Sequence, residues 1–233
     1  MYDKFASYYD GLVEHKDYKK EVEYVLSYLP YTNNSSVLDF GCGTGNHLME
    51  LSKSFENVVG VDPCPNMTSI AVDKNIKNCK IYNREIHEIK EDNFDLVTSF
   101  FNVVNHIESL SELKQIFQSI FSKLKGEGLF IFDCWNGVAF LRDPPVKKIM
   151  KIPMGVYKYD PVVDYLNSLV TLKVTLEANA GTVRSEFLHV LWTPKMLKGL
   201  LLDVGFESVV IKELFSHEDA SGDSHKLSFI CRK

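Results

Sequence analysis

The stretch VLDFGCGTGNHLMEL, residues 37–51, decides the fold. It reads as a buried strand running into three glycines at alternate positions, Gly41, Gly43 and Gly45, and then into a helical run from Asn46. A strand that enters a helix through bare backbone lets a ligand approach the main chain, and the helix start offers it unpaired N–H groups. Taken alone, the pattern suits many nucleotide-type ligands, or a tight strand-to-helix turn that binds nothing. The spacing narrows the choice. A dinucleotide fingerprint needs G-x-G-x-x-G, whereas here the order is G-x-G-x-G and Asn46 stands in the place of the third fingerprint glycine. Asp39 precedes the first glycine, and Asp62 ends the next strand, NVVGVD, where a carboxylate can accept from ribose hydroxyls.

Outward from this stretch, strands and helices alternate. Upstream, HKDYKKEVEYVLSYL (15–29) places Val22, Val25, Leu26 and Leu29 on one helical face, with Pro30 as the stop. Downstream come a helix over NMTSIAVDKN with Asn66 as its expected N-cap, a short strand CKIYN, and a fourth strand FDLVTSFFNVV. An amphipathic helix over LSELKQIFQSIFSKL and a fifth strand LFIFDCW follow. Such alternation predicts a parallel sheet covered on both faces. From 165 to 192 the period becomes two, with Leu172, Val174 and Leu176 set against Thr171, Lys173 and Thr175, and the turn NAGT marks an antiparallel hairpin. TPKMLKGLLLDVG then resumes as a helix, with Thr193 as N-cap, Pro194 at the first position and Gly205 at the end. The last two strands, FESVVIKEL and HKLSFICR, are joined by a loop short enough to force an antiparallel pair. The expected fold is therefore α/β: one Rossmann-like, doubly wound domain over residues 1–233. Its seven-stranded sheet is parallel except for an antiparallel last strand, with an antiparallel β-hairpin insert after strand five.

Composition bounds the function. The 233 residues carry a formal charge of −5 without a Lys/Arg stripe, which argues against a nucleic-acid partner. The five cysteines are scattered and never form C-x-x-C, which fits reduced thiols better than a disulfide frame or a zinc site. The start, MYDKFASYYD, lacks the apolar core of a signal peptide, and no apolar run approaches the roughly 20 residues of a membrane helix. A cytoplasmic protein with no membrane partner is expected.

The segments VLDFGCGTG, VVGVDPCPNM, FDLVTSFFNVVNHI and LKGEGLFIFD, in this order, resemble the signature of class I S-adenosylmethionine-dependent methyltransferases. The resemblance covers residues 37–133, and the tail GFESVVIKEL…HKLSFICR is similar to the closing β-hairpin of that family. It implies S-adenosylmethionine as cofactor and S-adenosylhomocysteine as product. By position, Asp39, Gly41 and Gly43 would line the methionine part, and Cys42 and His47 of the same loop are cofactor-binding candidates, His47 alternatively serving helix-start hydrogen bonding. Asp62, followed by Pro63, would hold the ribose hydroxyls, and Met67 would lie against the adenine. In NREIHEI, Arg84 stands where the family often has glycine, Glu85 aligns with the acid that accepts from the adenine amino group, and Ile86 sits beside it. Phe100, Phe101 and Asn102 would border the transferable methyl.

The opening YDKFASYYDGLVEHKDYKKE resembles the N-terminal segment of a subgroup that methylates small molecules, including N,N-dimethyltransferases of nucleotide-linked amino sugars. This implies a helical cover over residues 1–30, with Tyr9 and Tyr18 folding over the cofactor, and an insert at 150–192 roofing the acceptor pocket. Related small-molecule enzymes are often dimers, so a homodimer is the family's expectation. Methyl transfer is an in-line displacement in which alignment and desolvation supply much of the rate. A neutral amine needs little more, whereas a hydroxyl normally needs a base or a metal.

His106, just past strand four, is the candidate base, with an intrinsic pKa of about 6.5. It could instead cap the following helix or pack under the cofactor. His189 on the insert is an outside candidate, while His15, His87, His217 and His225 have no particular context. DPPV at 143–146 is similar to the DPPY of methyltransferases acting on nucleic-acid amines or glutamine, but it follows strand five and is set aside. No carboxylate spacing suggests a metal cage.

The expected activity is methylation of a small polar acceptor, first an amine of a sugar or sugar nucleotide, with a hydroxyl of a glycan precursor or other metabolite as the alternative. A nicotinamide-linked oxidoreductase is opposed by the missing third glycine and the reversed final hairpin. A non-catalytic binding module is opposed by the intact Asp39, Gly41, Gly43 and Asp62.

Overall fold

The run SVLDF forms strand β1 (Ser36–Phe40), buried at all but its first residue in a computed structural model that describes residues 5–29, 35–179 and 181–233. Burial on both faces demands a strand without polar alternation. β1 lies between β2 (Asn57–Val61) and β4 (Phe94–Ser99), with β3 (Cys79–Tyr82) outside β2. Beyond β4 come β5 (Leu124–Trp135), β11 (Lys226–Arg232) and the edge strand β10 (Ser208–Glu213), completing a seven-stranded sheet. Only β11 runs against its neighbours, β5 and β10. The expected topology is thus observed.

Alternate residues of each strand feed two separate cores. Leu38, Phe40, Val97, Phe130, Phe132 and Phe229 point to one face, under α5 (Leu110–Lys123) and α7 (Pro194–Val204). Val37, Val58, Leu96, Leu129 and Ile131 point to the other, under α2 (Tyr18–Leu26) and α3 (Asn46–Leu51). On the first face Phe132 stacks on Phe130 and on Phe229, each at 4.7 Å between ring centres, and Phe117 meets both Phe130 and Phe132 at 5.9 Å. Helix α7 is built as its sequence implies: Thr193 Oγ1 accepts from the Met196 amide at 3.2 Å, and Gly205 ends the helix at φ 124°.

Several boundaries differ from expectation. α2 begins at Tyr18, because Asp17 accepts from the Lys20 amide, and it ends at Leu26. The proposed stop, Pro30, lies outside the described residues, as do residues 1–4 and Ala180 of the NAGT turn. Helix α4 (Pro65–Asp73) is capped by the extended Cys64 with Pro65 at its first position, so Asn66 is inside the helix and is not the N-cap. β4 stops at Ser99. Phe101 and Asn102 take left-handed conformations at φ 71° and 61°, and a single 3-10 turn, Val103–His106, follows.

The insert is larger than a hairpin. After α6 (Gly137–Arg142), β6 (Lys148–Ile152) and β7 (Gly155–Asp164) join the expected pair, β8 (Leu169–Ala178) and β9 (Gly181–Val190), in a four-stranded antiparallel sheet. A third core holds it to the domain: Phe5, Trp135 and Phe140 pack against Val170, Leu172, Val174, Leu176 and Phe187. The fully buried Asn105 pins the same junction, accepting from the Trp135 amide at 2.9 Å and donating to the Val190 carbonyl at 2.8 Å. Among the described residues no helix is long and apolar enough to cross a membrane.

The aromatic stack makes a stability prediction. Phe132 is 0% exposed, so Phe132→Ala should cost about 3–5 kcal/mol, read as a lower urea midpoint.

Candidate functional site

The turn after β1 needs its glycines. Gly41, Gly43 and Gly45 have φ of 77°, 54° and 82°, a region that side chains disfavour. A Cβ on Gly41 would sit 2.5 Å from Val103 Cγ2, and one on Gly43 would sit 3.3 Å from Met67 Cε. The Gly41 and Cys42 amides donate to the Val61 carbonyl at 2.8 and 3.1 Å, which ties the turn to β2. Asp62 then closes it: one carboxylate oxygen accepts from the Gly43 amide at 2.9 Å and the other from the Cys64 amide at 2.8 Å. Burial nevertheless pushes the Asp62 carboxyl up from its ordinary value, against the pull of those two amides.

These elements wall a cavity of about 430 Å³, a normal size for a cofactor site. Gly41, Gly43, Asp62, Pro63 and Met67 line one side, Phe100, Phe101 and His106 another, and Glu85 one end, while Tyr9 of α1 (Ala6–Leu12) covers it. Cys64 also lines the cavity, although the sequence did not single it out.

Other candidates stand behind this wall. Asp39 is buried beside Thr98, whose hydroxyl donates to it at 2.7 Å, and desolvation raises its carboxyl to about 6. Cys42 packs into the core below the turn. His47 Nε2 meets Glu21 at 2.7 Å, with its ring 5.0 Å from Phe100. Tyr18 does not fold over the cavity. Its ring packs edge-on against His47 at 4.8 Å and its hydroxyl accepts from Asn46 Nδ2 at 3.2 Å, since α2 runs along the outside of the turn. Ile86 is buried in the core, on the 3-10 turn Ile86–Glu88 that Glu85 and Glu88 cap reciprocally, so it faces away from the cavity that Glu85 borders.

A second cavity, of about 620 Å³, lies between the domain and the insert. Phe5, Asn102, Trp135, Phe140, Tyr157, Tyr159, Phe187 and His189 line its interior. Tyr9, Phe101 and His106 border both cavities. At the rim stand His15, His225, Lys148, Lys226 and the segment Asp143–Val146. The DPPV segment, set aside on sequence, therefore belongs to this site, and His15 and His225 gain a context there. Trp135 was missed, although its place at the carboxyl end of β5 is where open parallel sheets put ligands. The cavity residues of β6 and β7 gave no signal, because those strands were not expected.

His106 is not the near-neutral base its residue type suggests. Its Nδ1 donates to the Leu188 carbonyl at 3.1 Å, which leaves Nε2 as the basic nitrogen of a neutral ring. Burial pushes its pKa down to about 4, against that hydrogen bond. His189 is held likewise: Nδ1 donates to the Phe187 carbonyl at 3.2 Å, and burial, then His106, push it down to about 3. The rings follow in series: His106 is tilted at 45° against His189 at 4.2 Å, while His189 stacks on Trp135 and Trp135 on Phe140, each at 4.4 Å. Among the described residues no three His, Cys, Asp or Glu side chains are placed to hold a metal ion.

Comparison with known proteins agrees with this architecture. Residues 37–128 match the family model of the methyltransferase domain. A protein of Methanocaldococcus jannaschii, named uncharacterized, is 36% identical over 135 residues, which cover 58% of this chain and 50% of that protein. The chain spans about half the length of the curated relatives it matches. The crystal structure of an S-adenosylmethionine-dependent methyltransferase from Clostridium acetobutylicum superposes with a TM-score of 0.84 at 22% identity, covering 99% of this chain and 98% of that one. CalS10 of Micromonospora echinaspora, an amino pentose methyltransferase solved with S-adenosylmethionine bound, gives 0.74 at 18% identity, covering 98% and 96%. The α/β fold, insert included, is one that these structures share.

The two histidines carry a pH signature. Both folded pKa values lie below the ordinary 6.5, so between them and 6.5 the unfolded chain binds protons that the folded chain does not. Their contribution is complete above about pH 6.5 and is lost as pH falls toward 4. Urea unfolding at about pH 7 and about pH 5 should show a loss on the order of 1–2 kcal/mol per histidine, and His106→Gln with His189→Gln should flatten it.

Proposed function

We propose that this chain, whose residues 37–128 match the methyltransferase domain family, transfers a methyl group from S-adenosylmethionine to an amine of a small polar acceptor, a sugar or sugar nucleotide first. The observation that carries the reading is the meeting of two cavities at Tyr9, Phe101 and His106. A donor in one and an acceptor in the other would face each other there, which is what an in-line displacement requires.

The first cavity suits the cofactor chemically. The bare, left-handed turn at Gly41 and Gly43 admits a ligand close to the main chain, and the Asp62 carboxylate is the natural acceptor for ribose hydroxyls. Pro63 and Met67 give the adenine an apolar face, and Glu85 is an acceptor at that end. When bound, S-adenosylmethionine supplies an electrophilic methyl on its sulfonium. The remaining work belongs to the protein: Tyr9 and Phe101 exclude water, and the second cavity orients the nucleophile.

The state of His106 favours an amine over a hydroxyl. A hydroxyl must lose its only proton, and an imidazole held at about 4 is a weak base for that. A neutral amine attacks through its lone pair, and two N–H groups remain to be held. His106 borders the junction where they would lie. The Asn102 side-chain oxygen can accept one of them, since it is buried with no partner among the described residues. The product ammonium can shed its proton after leaving. The name of CalS10, an amino pentose methyltransferase, points the same way. The net charge of −5 supports a small-molecule acceptor over nucleic acid.

Isothermal titration should show S-adenosylmethionine and S-adenosylhomocysteine binding to the wild-type chain. Asp62→Ala should weaken both by roughly 10–150-fold, as loss of a hydrogen-bonded charge implies. His106→Ala should keep that affinity and lower turnover of amines by roughly 2–10-fold, as loss of one positioning contact implies. Absence of binding by either adenosyl ligand would overturn the reading.

A further inference from the structure

We infer that Trp135 determines acceptor specificity: its indole N–H donates to an oxygen of the acceptor, so the protein selects amines that carry a hydroxyl over plain amines. The inference rests on the methyl-transfer reading and adds a chemical class to its acceptor.

Trp135 ends β5 and is only 6% exposed, yet its indole nitrogen has no hydrogen-bond partner among the described residues. The other tryptophan, Trp192, donates to the Val104 carbonyl at 3.3 Å. A buried donor left unpaired costs about 1–3 kcal/mol, so folded proteins leave few of them. Trp135 cannot swing away to find a partner. Phe140 and His189 sandwich its ring at interplanar angles of 13° and 19°, and its own amide is held by Asn105 at 2.9 Å.

The ring that carries the unpaired donor borders the second cavity, so a ligand seated there can complete it. An indole only donates, so its partner must be an acceptor atom. An ammonium or a hydrocarbon edge would leave it unsatisfied. The ring stack places it relative to the chemistry: His189 lies between Trp135 and His106, and His106 borders both cavities. An oxygen on the same small ring as the reacting nitrogen can therefore reach the indole while the nitrogen lies at His106. Sites that hydrogen-bond a substrate hydroxyl reject the analogue without it, because the protein group is then stranded.

The probes are trans-2-aminocyclohexanol and 3-aminocyclohexanol, with cyclohexylamine as the analogue lacking oxygen. The chain has two tryptophans, hence two indole N–H signals in a ¹⁵N-labelled sample, and Trp135→Phe assigns them. With S-adenosylhomocysteine present, an aminocyclohexanol should move the Trp135 signal downfield, while cyclohexylamine leaves it in place and the Trp192 signal stays fixed. In turnover, kcat/KM should favour an aminocyclohexanol by about 5–150-fold. Trp135→Phe, which keeps the stack, should bring that ratio near unity without changing S-adenosylhomocysteine affinity. An indole signal unmoved by saturating aminocyclohexanol, or a ratio that survives in Trp135→Phe, would overturn the inference. If neither amine is methylated by a chain that binds the adenosyl ligands, the acceptor reading fails, and the indole signal still decides the hydrogen bond.

Discussion

The Asp62 carboxylate is the constraint around which the rest of the site is arranged. It holds the amides of Gly43 and Cys64 together, joining the turn after β1 to the start of α4. Two more acids fasten the N-terminal helices to the same turn. Asp10 accepts from Thr44 Oγ1 at 2.5 Å and Asn46 Nδ2 at 3.0 Å, and pairs with Lys74 at 2.7 Å. Burial raises the Asp10 carboxyl, but Lys74, Thr44 and Asn46 hold it below the usual carboxylate range overall. Glu21 joins His47 to Lys16 at 2.7 and 3.0 Å. The cover that brings Tyr9 over the cavity thus depends on carboxylates satisfied by the turn it covers.

The second feature of the site is a pair of uncharged histidines on the wall of the second cavity. His106 and His189 are neutral across the physiological range because burial opposes protonation and each Nδ1 is committed to a carbonyl. Were a sulfonium bound in the first cavity, as proposed, this neutral, aromatic wall would not repel it, and the Trp135 indole N–H stands in the same wall. Such a wall favours alignment and desolvation over proton abstraction as the source of rate.

Much of this was legible in the residues, for identifiable reasons. The β1 turn is a local feature, so Gly41, Gly43 and Asp62 can be placed from spacing alone, and the last two strands, adjacent in sequence with no helix between them, pair antiparallel as read. Contacts between distant segments cannot be read that way. Tyr18 looks like a lid residue until α2 is seen to run outside the turn, against His47. Ile86 follows an aligned acid, but a single 3-10 turn aims it into the core. β6 and β7 escaped notice because KIMKI is almost wholly exposed and GVYKYDPVVD only half-covered, with lysines and a proline among their apolar residues. The ionisation of His106 depends on its burial and on the Leu188 carbonyl of β9, which no local pattern encodes.

The most direct measurement follows the methyl group itself. The chain would be incubated with S-adenosylmethionine bearing a trideuteromethyl group and a mixture of small amino sugars and their hydroxyl counterparts, and the products read by mass spectrometry. The account predicts that amines gain the labelled methyl in place of hydrogen, one S-adenosylhomocysteine appearing for each transfer, while the hydroxyl compounds remain unlabelled. Label on oxygen alone, or S-adenosylhomocysteine without a labelled acceptor, would contradict it.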